Sequence, residues 1–221
     1  MDAAPLAEAQ DLTVTARAGA LRVEGLAFRV HAGETLVLVG PIEAGSMVLR
    51  ALVGIEPPES GRARVLGEEP AALPRALAAA LLARVGWYPR SGALLANLTL
   101  RENLFLPLQF HRRLDDAEME RAAGAALARF GLAAAPDVRP EEVPLPVRRR
   151  VALARAILLD PELLVLDDPL DDLEEEVASE VAAALAGWAR EGPRGLVLTS
   201  HRARIASTLR APALPLPVVR A

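Results

Sequence analysis

The most constraining stretch of this chain is residues 34–47. An apolar run, Glu34-Thr35-Leu36-Val37-Leu38-Val39, passes straight into Gly40-Pro41-Ile42-Glu43-Ala44-Gly45-Ser46-Met47. A short continuous apolar run reads as a strand buried on both faces, the habit of parallel sheets. Gly40 and Gly45 keep the frame of G-x-x-x-x-G-K-[ST], the loop whose backbone N–H groups cradle phosphates. The motif then fails: Ser46 stands where its lysine belongs and Met47 where its hydroxyl belongs. No lysine occurs anywhere in the 221 residues, and all 25 basic side chains are arginine. Arginine was therefore available for position 46 and is not used there. The expectation is a nucleotide-binding α/β fold whose nucleotide site has been dismantled.

Bulk properties narrow the class further. The length suits one α/β domain with a small subdomain. With 52% hydrophobic and only 3% aromatic residues, the core must be built from Leu, Val and Ala. A net charge of −4 and a pI near 5.5 speak against a general nucleic-acid binder, whose footprint is basic. The absence of cysteine excludes disulfides and thiolate metal sites. Met1 to Asp11 lack the basic-then-apolar order of a signal peptide. No apolar run reaches ~18 residues, and the Ala-rich stretch 76–82 is flanked by Arg75 and Arg84, so no membrane span is expected.

Periodicity places the elements. Residues 12–30 alternate as short antiparallel strands, with turns near Gly19 and Gly25. After the strand at 34–40 comes a helix over 44–54 ended by Gly54, a turn at Pro57–Gly61 and a strand at 63–67. Residues 71–84 read as helix and 85–88 as strand. From Thr99 to Leu132 the pattern is helical, with Glu118–Phe130 amphipathic. Val151–Leu159 is a helix ended near Pro161. Leu163–Leu166 and Gly195–Thr199 are buried parallel strands joined by a helix over Glu174–Glu191. Strand–helix–strand order implies a parallel sheet wrapped by helices.

Taken in order, these segments resemble the ATP-binding subunit of ABC transporters over roughly residues 11–210. The phosphate-type loop comes first, then Leu-Val-Gly-Ile-Glu-Pro-Pro-Glu-Ser-Gly (52–61), similar to the family's helix-to-strand turn. Trp87-Tyr88-Pro89-Arg90-Ser91-Gly92 occupies the place of the Q-loop. Arg148-Arg149-Arg150-Val151-Ala152-Leu153-Ala154-Arg155-Ala156 resembles the helix after the family signature. Leu163-Leu164-Val165-Leu166-Asp167-Asp168-Pro169 resembles the Walker B strand, and Leu198-Thr199-Ser200-His201 the switch histidine. Residues 91–104 further resemble the ATPases of bacterial lipid-transport systems of the MCE type. The resemblance implies a P-loop NTPase fold of the α/β class: a RecA-like parallel core, an antiparallel β subdomain (about 11–67, with the loop strand and helix), an inserted α-helical subdomain (about 91–150) and the rest of the core (151–221).

Against that family pattern the departures are chemical. In working members the loop lysine holds the β/γ-phosphates and the hydroxyl holds Mg²⁺. Ser46 offers one neutral hydrogen bond and Met47 none. Two lost charge-assisted bonds, each worth about 1.5–3 kcal/mol, weaken ATP by roughly two to four orders of magnitude. Glu43 stands where the family has glycine; unless it swings out to solvent, a carboxylate there repels a phosphate by roughly 1 kcal/mol in water and about 4 at an effective dielectric near 20. The signature L-S-G-G-Q aligns with Val143-Pro144-Leu145-Pro146-Val147, whose two prolines remove N–H donors. The same prolines are allowed at a helix entry. Arg90 replaces the glutamine that senses Mg²⁺, and no aromatic lies near Ala16-Arg17, where the family stacks adenine. Asp167 keeps the metal-ligand position. Asp168 replaces the catalytic glutamate, one methylene short, and His201 is kept.

This chain has thus lost its contribution to both composite sites of the family's head-to-tail dimer. The expectations are no bound nucleotide, or weak ATP and Mg²⁺ only; vestigial catalytic positions Asp168 and His201; a vestigial metal position Asp167; and a degenerate nucleotide site at Gly40, Glu43, Gly45, Ser46, Met47 and Arg90. By resemblance the partners are a membrane permease, received in a groove of the helical subdomain near Leu104, Phe105, Leu106, Leu108 and Phe110, and a second cassette subunit in a homo- or heterodimer. That places the chain in the cytoplasm, peripheral to the inner membrane. Two alternatives stand beside this reading: an ATPase working through a non-standard site, and a soluble adaptor assembled through the acidic run Asp167–Glu176.

Overall fold

The computed structural model describes residues 4–16, 21–111, 114–135 and 137–220. Strands β1 (Ala7–Thr15) and β2 (Leu21–Val30) pair antiparallel. In β2, Val23, Leu26, Phe28 and Val30 are buried and their neighbours are not, the period of a half-buried sheet. The turn expected near Gly19 lies outside the described residues. The turn expected at Gly25 is instead a bulge inside β2. Between Leu12↔Leu26 and Val14↔Val23 the second strand gains a residue, and between Ala9↔Phe28 and Leu12↔Leu26 the first gains one. The bulged backbone is left-handed at Gly25 (φ 67°) and Asp11 (φ 47°), so alternation is rephased without ending the strand.

Strand β3 (Thr35–Val39) leads into helix α1 (Ile42–Leu52), and β4 (Ser60–Val65) returns to pair with β1. Helix α2 covers only Arg75–Leu82. The longer helix expected over 71–84 is cut because Pro74 cannot continue a helix backwards, and Pro70–Ala72 form a separate 3₁₀ turn. There follow β5 (Val85–Tyr88), α3 (Leu100–His111), α4 (Asp116–Arg129), α5 (Leu145–Ile157), β6 (Leu163–Leu166), α6 (Glu175–Arg190), β7 (Gly195–Ser200), α7 (Arg204–Leu209), β8 (Ala213–Pro215) and β9 (Val218–Arg220). The helical stretch 99–132 is two helices. The second is started by a reciprocal capping box, in which Asp115 accepts from the Glu118 N–H and Glu118 from the Asp115 N–H.

A five-stranded parallel sheet runs β5-β6-β7-β3-β8, and a four-stranded antiparallel sheet runs β4-β1-β2-β9. Alternation along the parallel strands feeds two cores. Leu164, Leu166, Leu196 and Leu198 face α3, α4, α5 and α6. Leu163, Val165, Val197 and Leu38 face α1 and the antiparallel sheet. The tail links both sheets: β8 extends the parallel one beside β3, and β9 extends the antiparallel one beside β2.

Candidate functional site

The glycine-framed loop is wound into helix. Helix α1 begins at Ile42 with Pro41 as its cap residue, and the Gly45 N–H donates to Pro41 O at 3.1 Å. That N–H therefore closes the first helical turn instead of facing a phosphate. Both glycines answer to packing. A Cβ on Gly45 would lie 2.9 Å from the Thr199 side chain, and one on Gly40 3.0 Å from Leu216. Glu43 is exposed in the first turn of α1, where an acidic side chain suits the helix dipole; it swings out rather than leaning over the loop. Met47 is buried among the apolar residues between the sheets.

Ser46, Asp167 and Thr199 meet where α1, β6 and β7 converge. The Ser46 hydroxyl donates to Asp167 Oδ2 at 2.7 Å and the Thr199 hydroxyl to Asp167 Oδ1 at 3.1 Å. Both oxygens of the buried carboxylate are thus engaged by protein hydroxyls. The Asp168 N–H donates to Thr199 Oγ1 at 3.0 Å, and Asp168 itself is buried with left-handed backbone, φ 46°. Its carboxylate meets His201 Nδ1 at 2.6 Å. Arg202 Nε donates to His201 Nε2 at 3.2 Å, which assigns the ring proton to Nδ1, pointing at Asp168.

Arg90 is held on the acidic turn after β6. Its Nη2 donates to Asp171 Oδ2 at 2.6 Å. Arg149, on α5, binds the Tyr88 hydroxyl and the Arg90 carbonyl, both at 3.2 Å, and Asp172 Oδ2 at 3.0 Å. The acidic run therefore divides. Asp167, Asp168 and Asp171 are buried and partnered, while Asp172 and Glu174–Glu176 face solvent. Asp171, Asp172, Arg149, Thr199 and Arg202 belong to the site yet carry no sequence signal beyond lying in the acidic run, the arginine run and the strand end. Arg17 lies outside the described residues.

These residues do not fit Mg-ATP. The carboxylate that would take the ion is filled by Ser46 and Thr199, position 47 is a buried thioether, and a loop N–H is consumed by the helix. Arg90 and Arg149 are held by Asp171 and Asp172, and Arg202 by His201. A triphosphate placed here meets Asp167 and Asp168, while the arginines Arg90, Arg149 and Arg202 are already hydrogen-bonded to protein partners.

Burial pushes the Asp168 carboxyl above its ordinary value against the hydrogen bond and charge of His201. Burial pushes Asp171 the same way, but the hydrogen bond and charge of Arg90, then His201 and Arg149, outweigh it and leave its carboxyl low. A lowered carboxyl contributes stability that is present above its unfolded value and lost as pH falls through the folded one. An Asp171→Asn variant is therefore expected to be less stable than wild type at pH about 7, with the gap closing below pH about 4. Urea midpoints at both pH values check this; a gap that persists in acid contradicts it.

Helix α5 starts at Leu145, earlier than the Val151 start expected, and Pro144 and Pro146 occupy its cap and first turn. The signature segment is a proline-started helix entry. The apolar patch expected on α3 is also revised. Leu104, Phe105 and Leu108 are core residues, because α3 packs against α5. Leu106 and Phe110 remain outside and line a groove with Trp87 and Leu159.

A parallel α/β sheet, a strand that enters a glycine-framed turn and helix, and an acidic strand end beside it define the phosphate-loop NTPase class. Within that class the chain belongs to the ABC transporter family, whose profile matches residues 23–171. It is 33% identical over 212 residues to the lipoprotein-releasing system ATP-binding protein LolD of Geobacter metallireducens, covering 91% of this chain and 92% of that one. It is 36% identical over 182 residues to the Nod factor export ATP-binding protein I of Paraburkholderia xenovorans, covering 81% of this chain but 57% of that relative. Among solved structures, a dimeric ATP-binding cassette in a post-hydrolysis state with ADP and Pi superposes with a TM-score of 0.85 at 20% identity, over 96% of this chain and 94% of that one. That likeness is one of fold. Among the described residues no helix is long and apolar enough to cross a membrane.

Proposed function

We propose that the chain is a non-hydrolysing cassette subunit of an ABC transport system, bound beneath a membrane permease and paired with another cassette subunit as its structural or regulatory half. The observation that carries this reading is the Ser46–Asp167 hydrogen bond, 2.7 Å and buried. It joins the lysine position to the metal-ligand position and satisfies one with the other. Asp168 and His201 are read as relics that now hold the end of β6 against the end of β7. The groove beside Leu106 and Phe110 is read as the permease contact, which puts the chain on the cytoplasmic side of the membrane. The cargo we propose is of the lipid class, a reading supported by relatives named for lipoprotein release.

Calorimetry with Mg-ATP on the purified chain tests this reading. No heat is expected up to about 1 mM nucleotide, where binding is worth only about −4 kcal/mol. Saturable binding in the micromolar range sinks the proposal in favour of an ATPase with a non-standard site, and Arg90 is then the first residue to replace.

A further inference from the structure

A pocket of about 220 Å³ opens at the entry of α5, beside the segment that follows β5. Arg148 and Arg149 line it from the helix, Leu94 and Leu145 supply apolar wall, and Ser91 and Glu141 are exposed beside them. The two guanidiniums differ. Arg149 is buried and already meets the Tyr88 hydroxyl, the Arg90 carbonyl and Asp172. Arg148 is half-buried, yet its side chain has no hydrogen-bond acceptor and no carboxylate among the described residues, and its Nε is sealed without a partner. Every other arginine with a described side chain either meets an acceptor or stands exposed. Glu141 lines the same pocket but forms no ion pair with Arg148. A guanidinium keeps its proton in a protein, so one charge is left in this pocket partly desolvated and without a counter-charge, a costly arrangement. The Ser91 hydroxyl accepts from the Ala93 N–H at 3.3 Å, and its own proton has no acceptor among the described residues.

We propose that this pocket binds a short aliphatic carboxylate, with Arg148 as its counter-charge. The planar fork of Arg148 matches two carboxylate oxygens, and the Ser91 hydroxyl is a second donor in the same lining. The aliphatic body lies against Leu94 and Leu145. A single uncompensated cation suits a monoanion, and Glu141 opposes a second negative charge, which favours carboxylate over phosphate. The bound acid would join the segment after β5 to the entry of α5, so its presence would be felt as a stiffening of both.

Butyrate and its neutral isostere butyramide, titrated at constant ionic strength into the full chain at pH about 7, test this; the acid is ionised there. Amide shifts in nitrogen-15 correlation spectra locate the binding and give its strength. Butyrate is expected to give saturable shifts at residues 91–96 and 140–148 and to bind about tenfold more tightly than butyramide, the effect of one charge-assisted bond. Acetate, two methylenes shorter, is expected to bind roughly tenfold more weakly than butyrate. Arg148→Gln is expected to remove the preference for the acid while keeping the thermal midpoint, because Arg148 has no protein partner to lose. Glu141→Gln is expected to tighten butyrate. Equal affinity for acid and amide, shifts confined to other residues, no saturation by about 50 mM, or butyrate binding unchanged in Arg148→Gln overturns the proposal. Inorganic phosphate binding at the same amides as tightly as butyrate also overturns it, in favour of a general oxyanion site. Should Arg148→Gln not fold, the acid-to-amide ratio on the wild-type chain and its response to Glu141→Gln decide the matter.

Discussion

A Gly86→Ala chain is expected to lose more than about 4 kcal/mol of stability and to accumulate as insoluble protein. The methyl it adds would lie 2.3 Å from Leu164 Cδ2 and 2.4 Å from the Ala156 carbonyl oxygen. Leu164 is fully buried in β6, and the carbonyl belongs to α5, so relief requires prising helix from sheet. Overpacking in ordinary cores costs about 1–3 kcal/mol; contact with a helix backbone raises that. Gly124→Ala is the control. Nothing lies within 4 Å of a Cβ at that position, and replacing a helical glycine by alanine is expected to add about 0.5–1 kcal/mol. Soluble yield and urea unfolding of the two variants read the contrast. An unchanged midpoint for Gly86→Ala would show that α5 and Leu164 yield to the added methyl without cost.

The second large effect falls on Arg149. Arg149→Ala is expected to lower the thermal midpoint by roughly 5–10 °C, from a loss of about 2–3 kcal/mol. The substitution leaves the buried Tyr88 hydroxyl and the Arg90 carbonyl without their donor, and frees α5 from the acidic turn after β6. The pair with Asp172 contributes little to that total, because the Asp172 side chain is 56% exposed. Arg149→Lys is expected to recover only part of the loss, since an ammonium cannot span three acceptors as a planar fork does. Circular dichroism melts rank the variants. Full recovery by lysine would mean that charge, rather than hydrogen-bond geometry, holds α5 to the acidic turn.

Strands β3, β5, β6 and β7 and helix α6 are legible because each is a run of one periodicity with punctuation at its ends. Residues 163–166 are four consecutive apolar residues, whereas the break between α3 and α4, made by the Asp115–Glu118 capping box, falls inside a stretch that reads as helical throughout. The tail strands β8 and β9 were not legible. Each is three residues long, and Pro212, Pro215 and Pro217 interrupt any strand pattern; both exist because an open sheet edge lies beside each of them. Gly25 misled for a related reason, since a glycine in an alternating segment fits a turn and a bulge equally well. At the site, Ser46, Asp167, Asp168 and His201 were found through motif register. Their mutual bonds were not, because hydrogen bonds between residues 121 positions apart leave no trace in local pattern. Arg149 and Arg155 sit in one arginine-rich helix, and only the fold shows that the first meets a carboxylate and the second neutral oxygens.

On the reading proposed above, the winding of Ile42–Gly45 into α1 bears on how a nucleotide site could be regained. Substituting lysine for Ser46 supplies charge but leaves the Gly45 N–H bonded to Pro41 O and removes a hydroxyl from Asp167. Unwinding the turn alone exposes backbone donors but supplies no cation beside Asp167 and Asp168. Each single change is unfavourable by itself, and several must arrive together before phosphate is bound. On that reading the helical turn acts as a ratchet, making the loss of a phosphate cradle easier than its return.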